Sequence, residues 1–272
     1  MNVPDFDYVR HYVHKHAAIV IEPGKEYLVE SRLLTLARKE NIPSIEVLME
    51  SLRKDPKSHL HRRVLDAMTT NETSFFRDAH PFEALKKFIL PELLEKHKVT
   101  KLINFWCGAA STGQESFSVL MTIANHFPEL LNWRMSFTAT DLSKDVLAQA
   151  KLGRFSQFEV NRGLPAAMLI KHFKRHGDYW EFDENLRKRV DFREMNLVEQ
   201  WLPMPPMDIV FLRNVLIYFD IATKKTILGK IHDLLRPGGY LFLGGAESTI
   251  NLDERFERVV LAKSTCYRRV QS

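Results

Sequence analysis

Cysteine is nearly absent from this chain: its 272 residues hold two, Cys107 and Cys266. Two thiols so far apart offer no disulfide framework, and a reducing compartment, the cytoplasm, is the expected location. No apolar run approaches the roughly 20 residues of a membrane span, so no membrane insertion is expected. No His/Cys group has the spacing of a zinc site. His11, His14 and His16 crowd one segment and read as a solvated helix end, so no metal is expected. The opening stretch MNVPDFDYVR carries acids and no apolar core, which argues against a signal peptide. The glycine spacing of a dinucleotide-binding turn, G-x-G-x-x-G, is missing, and so is any Tyr/Lys or His arrangement that would serve a nicotinamide-dependent dehydrogenase. An Asp/Asn-Pro-Pro-aromatic string of the amino-methylating kind is also missing. Asn161 and Asn196 lack the prolines, and Pro205-Pro206 lies between Met204 and Met207. Internal repeats and low-complexity tracts are not found.

What remains is ordinary soluble composition: 45% hydrophobic and 27% charged residues, with net charge +5. The mild basic bias favours acidic partners without choosing between nucleic acid and an acidic protein surface.

Residues 5–97 read as helices. Ile45, Leu48, Met49 and Leu52 recur at helical spacing, as do Leu60, Val64, Leu65 and Met68. Ser44 and Ser58 are candidate N-caps, and Pro81 and Pro91 mark later boundaries, with Pro91 expected to break a helix. After residue 100 the period changes. Strands are expected over 101–106, 135–140, 190–193, 207–212 and 240–243, and helices over 113–126, 144–151 and 222–235. Two final strands are expected within 258–270, turning near 262–264. Strands alternating with helices argue a parallel sheet covered on both faces. The alternation lapses between about 153 and 190, where 164–173 looks helical and 179–182 strand-like; this reads as a small insertion. The expected organisation is a helical domain over 1–85 and a second domain over 86–272, with an inserted subdomain at about 153–195.

The segment NFWCGAASTGQESFSVL (104–120) passes from an apolar strand through small residues into an amphipathic helix. That layout lets a backbone approach a nucleotide-like ligand closely, although small residues are common at ordinary strand–helix joints. Asp141 ends the next strand and could accept from both hydroxyls of a ribose, or cap the helix that follows. Glu115, in the first helical turn, could receive a ligand ammonium or merely complement the helix dipole. In NETSFFRD (71–78), Arg77 could clamp a carboxylate with paired hydrogen bonds, or end a helix beside two core phenylalanines. Arg213 and Asn214 follow the strand MDIVFL, where polar groups point into the ligand crevice of a parallel sheet. A buried guanidinium there needs a partner. Tyr218 is compatible with core or site.

Five strings in order, NETSFFRD (71–78), FWCGAASTGQE (105–115), FTATDLS (137–143), RNVLIYFD (213–220) and LRPGGYLFLGGAES (235–248), resemble the bacterial chemotaxis receptor methyltransferases, the CheR family. The resemblance covers essentially the whole chain. It implies an α/β fold: a Rossmann-like S-adenosylmethionine-dependent methyltransferase sheet, an N-terminal helical domain and a small β-subdomain insertion. The implied reaction is O-methylation of glutamate side chains on methyl-accepting chemoreceptor cytoplasmic helices, with S-adenosylmethionine as donor and S-adenosylhomocysteine as product. Carried over by motif, Asn71, Thr73 and Arg77 belong to the polar segment that closes over the cofactor. Glu115 and Asp141 match the acids that hold its amino group and ribose. Asn196 and Leu197 flank its adenine, Arg213 and Asn214 form the pair after the fourth strand, and Tyr218 lies near the transferred methyl. Tyr218 and Arg213 are the expected catalytic residues.

Two departures from the family pattern stand out. Ser116 replaces the proline that commonly follows G-Q-E, and a serine suits an early helical position. The segment HFKRHGDYWEFDENL (172–186) is short for a glycine-rich docking hairpin, so a member without a receptor-tail tether is expected. Arg53, Lys54, Lys57, Arg62 and Arg63 cluster near one helix–helix joint. They could attract a glutamate-rich receptor helix or be a solvated basic face. The competing readings are a dehydrogenase, a methyltransferase of nucleic acid or of a related sensory pathway, and a non-catalytic cofactor-binding regulator.

Overall fold

The computed structural model describes residues 1–270. Contacts divide the chain into two units, Met1–Thr70 with Tyr218–Thr223, and Asn71–Ile217 with Lys224 onward. The helical stretch therefore parts from the rest at Thr70, earlier than the expected residue 85.

The first unit contains helices Val3–Ala17, Glu26–Lys39, Ile45–Lys54 and His59–Met68. Their apolar stripes bury Val9, Val13, Val29, Leu33, Leu48, Met49, Val64 and Met68. Ser44 and Ser58 cap as the sequence suggests, accepting from the N–H of Val47 and Leu60. The Arg32 guanidinium donates to the carbonyls of Met68 (2.5 Å) and Thr69 (3.0 Å) and to the Thr70 hydroxyl (2.9 Å). It thereby satisfies orphan carbonyls at a helix C-terminus. The basic residues near the joint are largely paired at home: Arg53 with Asp5, Lys54 with Glu50, Arg62 with Asp66 and Arg63 with Glu40. His14 and His16 lie in the last turn of the first helix, and His14 faces Asp220 at 3.6 Å. Among the described residues no group of side chains could hold a metal ion, and no helix is long and apolar enough to cross a membrane.

In the second unit the strands are β1 (Leu102–Gly108), β2 (Arg134–Asp141), β3 (Arg154–Ser156), β4 (Phe173–His176), β5 (Tyr179–Phe182), β6 (Val190–Glu194), β7 (Met207–Leu212), β8 (Leu235–Leu243), β9 (Phe256–Leu261) and β10 (Ser264–Arg269). Seven form one sheet in the order β6-β2-β1-β7-β8-β10-β9. The pairings among β6, β2, β1, β7 and β8 are parallel, and β10 runs antiparallel to both β8 and β9. The order reverses between β1 and β7, which is where an open parallel sheet leaves a crevice at its strands' carboxyl ends. β7 is buried at every position, as a central parallel strand covered on both faces must be. The final hairpin turns through Ala262 and Lys263, both in the left-handed region, which suits the twist of a two-residue connection.

The insertion is a three-stranded antiparallel sheet, β3-β5-β4. Its Phe155, Phe173 and Phe182 pack edge-on or tilted against Phe75 and Phe117. β3 and β4 escape sequence reading: three residues are too few to display alternation, and β4 buries only its first residue, Phe173. The helix expected over 222–235 runs from Ile221 to Leu234, and β8 follows at once from Leu235, earlier than the expected 240, with its register shifted opposite Met207–Ile209. Pro91 does not break its helix. Helical backbone runs from His80 to His97, with a π turn over Leu85–Ile89 just before the proline. Widening that turn relieves the clash of the ring with the carbonyl four residues earlier.

Candidate functional site

Four loops leave the carboxyl ends of β1, β2, β6 and β7, and the residues singled out in the second unit lie on them or on the segment 71–78. The loop after β1 spans Ala109–Gly113 and opens helix Gln114–His126. Its small residues serve a backbone need: Ala109, Ser111 and Gly113 all have positive φ. At Gly108, a Cβ would stand 2.7 Å from Leu212 Cδ1.

Arg213 leaves the end of β7 with its side chain 2% exposed. Nη1 donates to Glu115 Oε2 at 2.8 Å. Nη2 donates to Asp78 Oδ2 at 2.6 Å and to the Arg77 carbonyl at 3.0 Å. The partner that a buried guanidinium required is therefore an acid from the first turn after β1, with a second from the segment 71–78. Burial pushes the Glu115 carboxyl above its ordinary value, and the neighbouring Arg213 opposes that shift. The Cys107 thiol beside it is raised well above its usual value by burial and then by the charge of Glu115, so it stays protonated and unreactive.

Asp141 is buried at the end of β2. Oδ2 accepts the Ser111 N–H at 2.8 Å and Oδ1 the Ser143 N–H at 2.9 Å. The N-cap of the following helix is Ser143, so Asp141 is not that cap. It joins the β1 loop to its own turn. Asn71 offers its carbonyl to the Ser111 hydroxyl at 2.7 Å. Phe76 donates its N–H to Ser118 Oγ at 2.9 Å. The segment 71–78 is thus fastened along helix Gln114–His126. Thr73 and Arg77 are half-buried on it, and Arg77 Nη1 reaches the Glu72 carbonyl at 3.3 Å.

Asn196 and Leu197 follow β6. Asn196 bonds Glu199 and the Val198 N–H, and Leu197 is buried with its carbonyl taken by Trp201 Nε1 at 2.9 Å. Lys230 Nζ donates to the Glu199 carbonyl at 2.6 Å and lies over the Trp201 ring. Trp201 meets Trp106 edge-on at 4.8 Å. Asn214 adopts φ 59°, and its Oδ1 is buried with no hydrogen-bond partner. Tyr218 groups with the helical unit: its carbonyl accepts the Val20 N–H at 2.9 Å.

Asn71, Arg77, Glu115, Asp141, Arg213 and Asn214 lie around three loops, after β1, β2 and β7, and one segment. Asn196 and Leu197 sit on the loop after β6, the strand beside β2. Sequence reasoning assigned no role to Asp78, Ser111, Ser118 or Glu247. Asp78, Ser111 and Glu247 lie inside the motif strings, and that was their only signal.

The residues fit S-adenosylmethionine on two observations. Glu115 is an anion whose burial is only partly compensated, and Asn214 Oδ1 is an orphaned acceptor. A cationic amine satisfies both kinds of group.

A family model described as "CheR methyltransferase, SAM binding domain" matches residues 71–265, and "CheR methyltransferase, all-alpha domain" matches residues 4–69. Chemotaxis protein methyltransferase Cher2 of Pseudomonas putida is 38% identical over 97% of this chain and 97% of its own length. Chemotaxis protein methyltransferase 1 of Pseudomonas aeruginosa is 39% identical over the same shares. A chemotaxis protein methyltransferase of Vibrio parahaemolyticus is 36% identical over 91% of this chain and 90% of its own. With its two domains matched in order and relatives aligned end to end, the chain belongs to the CheR methyltransferase family and takes S-adenosylmethionine as its cofactor.

Proposed function

We propose that this protein methylates glutamate side chains on the cytoplasmic helices of chemoreceptors, as part of chemotactic adaptation. The observation that carries the reading is the buried Glu115–Arg213 pair, with Asp78 on its exposed side, at the sheet's switch point in a chain whose relatives are named for chemotaxis. The cofactor supplies, when bound, a methyl group already activated on a sulfonium. A glutamate side chain ordinarily titrates at about pH 4.3 and is anionic near neutral pH, so the protein need not supply a general base. Its residues must hold the reacting groups in line and keep water out.

Glu115 and Asn214 Oδ1 are the acceptors for the cofactor's amino group, and pairing with Arg213 leaves Glu115 further lone pairs for it. Asp141 receives the ribose, Asn196 and Leu197 flank the adenine, and Asn71, Thr73 and Arg77 close over the bound molecule. Arg213 is held so firmly by two carboxylates that its first task is to fix Glu115. Through its charge it also offsets the anions that meet near the reacting carbon. Tyr218 orients or shields the acceptor carboxylate. The β4–β5 hairpin, four-residue strands joined through Gly177 and Asp178, supports a member that engages its receptor without a tail peptide. A helical domain ending near Thr70, a methyltransferase domain carrying the β3-β5-β4 insertion, and a cytoplasmic location complete the reading.

Transfer of radiolabelled methyl groups to receptor-containing membranes, against nucleic acid as control, tests it. Base-labile label on the receptor is expected; label on nucleic acid alone would overturn it.

A further inference from the structure

Glu247 lies past the end of β8, outside every role assigned above. Its carboxylate gathers four backbone N–H groups. Oε2 accepts from Gly244 at 2.6 Å and Asn214 at 2.8 Å, and Oε1 from Val215 at 2.8 Å and Ile217 at 3.3 Å. Three of those donors lie just downstream of Arg213. Hydrogen bonds to an ionised acceptor are roughly twice as strong as neutral ones. The geometry also excludes substitutes: a Cβ on Gly244 would stand 2.6 Å from Asn214 Nδ2 and 2.7 Å from Glu247 Oε2. Asn214 itself is held at φ 59°, a left-handed conformation that a free turn would leave readily. Nothing in β7 alone would hold the chain there once its ladder ends at Leu212.

We infer that Glu247 is a positioning residue of the methyl-transfer site, clamping the turn after β7 so that Arg213 faces Glu115 and Asn214 keeps its acceptor aimed inward. It acts through Arg213 and Asn214 and needs no contact with cofactor or acceptor. The inference rests on the proposed role of those two residues.

Full-length Glu247→Gln and Glu247→Asp proteins test it. Glutamine presents an NH2 to N–H donors and cannot keep all four bonds. Turnover of Glu247→Gln is expected to fall by about tenfold or more, with weaker S-adenosylhomocysteine binding by calorimetry and faster amide exchange at Asn214, Val215, Ile217 and Gly244. Glu247→Asp should recover part of both losses. Combined with Arg213→Met, Glu247→Gln should cost clearly less than the product of the two single losses, because one of the two groups it positions is already gone while Asn214 remains. Losses that multiply in the double variant would overturn the inference, as would wild-type turnover in Glu247→Gln. If Glu247→Gln does not fold, Glu247→Asp decides: faster exchange at the four amides with undiminished turnover refutes it. Failure of the unaltered protein to bind S-adenosylhomocysteine would instead sink the proposed function, and the amide-exchange result would stand apart from it.

Discussion

Replacing Arg213 with methionine keeps most of the side chain's length and deletes its charge. Asp78, 56% exposed, can turn to water, and losing that half of the network should cost at most about 1 kcal/mol. Glu115 cannot escape so easily, because its side chain is only 14% exposed. Breaking a buried ion pair by removing one partner costs about 3–5 kcal/mol, since the other charge is left uncompensated. The carboxyl has one way out, which is to take up a proton. Its pKa is already raised by burial, and Arg213 heads the influences that hold it down. Without the guanidinium it must rise further. The folded variant then holds a proton that the unfolded chain releases. Stability relative to wild type is therefore lost as pH rises, by up to about 1.4 kcal/mol per pH unit, until the variant's own pKa is passed. Urea unfolding of both proteins at pH 5, 6, 7 and 8, without ligand, should show a deficit that is small at pH 5 and approaches about 3 kcal/mol at pH 8. Adding Glu115→Gln should remove most of the pH dependence. A deficit that stays flat from pH 5 to 8, or a double variant as pH-sensitive as the single one, would refute the claim that the buried charge of Glu115 is what Arg213 compensates.

The same carboxyl sets a binding limb. S-adenosylhomocysteine affinity should fall as pH drops through a value above the ordinary carboxylate range, and Glu115→Gln should bind about tenfold or more weakly with no such limb between pH 5 and 7; calorimetry across that range checks both. Gly244→Ala should cost roughly 1–3 kcal/mol in urea unfolding and weaken S-adenosylhomocysteine binding, because its methyl has no space beside Asn214 and Glu247. Unchanged stability would mean that this turn yields. Tyr218→Phe should slow methyl transfer while leaving S-adenosylhomocysteine affinity nearly intact, and undiminished turnover would remove the hydroxyl from the mechanism.

The frame of the second unit was legible because periodicity reports burial. The strand–loop–helix at 102–126 and the buried strand MDIVFL both announce themselves by which residues are apolar. Arg213 was legible in a stronger sense: a guanidinium after a central strand demands an acid, and two acids meet it. Which acids they are was not readable, since Glu115 lies 98 positions away in sequence and Asp78 135. Asp141 shows the limit from the other side. The readings offered for it were a ligand's ribose and the helix that follows, yet one of its oxygens is taken by Ser111, on a different loop. Tyr218 illustrates a third kind of loss. It sits in a motif string that begins in the second unit, yet by its contacts it belongs to the helical unit, where its carbonyl meets Val20. The basic residues near the helix joint looked like free charge in the sequence. Most of them are paired: Arg53 and Arg63 meet acids brought in by other helices, and Lys54 and Arg62 meet acids one turn back or on along their own.

What the motifs could not convey is how the site is held in a shape the backbone resists. Six of the twelve non-glycine residues with positive φ among those described are Phe76, Asp78, Ala79, Ala109, Ser111 and Asn214. All lie on or next to the two loops and the segment that surround Arg213. Each such residue costs on the order of 1 kcal/mol or more, and it persists only where its surroundings over-determine it. Four of these surroundings are specific polar bonds: Ser118 to the Phe76 N–H, Arg213 to Asp78, Asp141 to the Ser111 N–H and Glu247 to the Asn214 N–H. In every case the strained residue and its partner come from different elements, so no loop holds its conformation by itself. The polar residues of the motif strings therefore have a task beyond the ligand contact proposed for them. Asp141 and Arg213 hold neighbouring loops in conformations that cost energy, and a substitution at either should disturb residues it never touches in the bound complex.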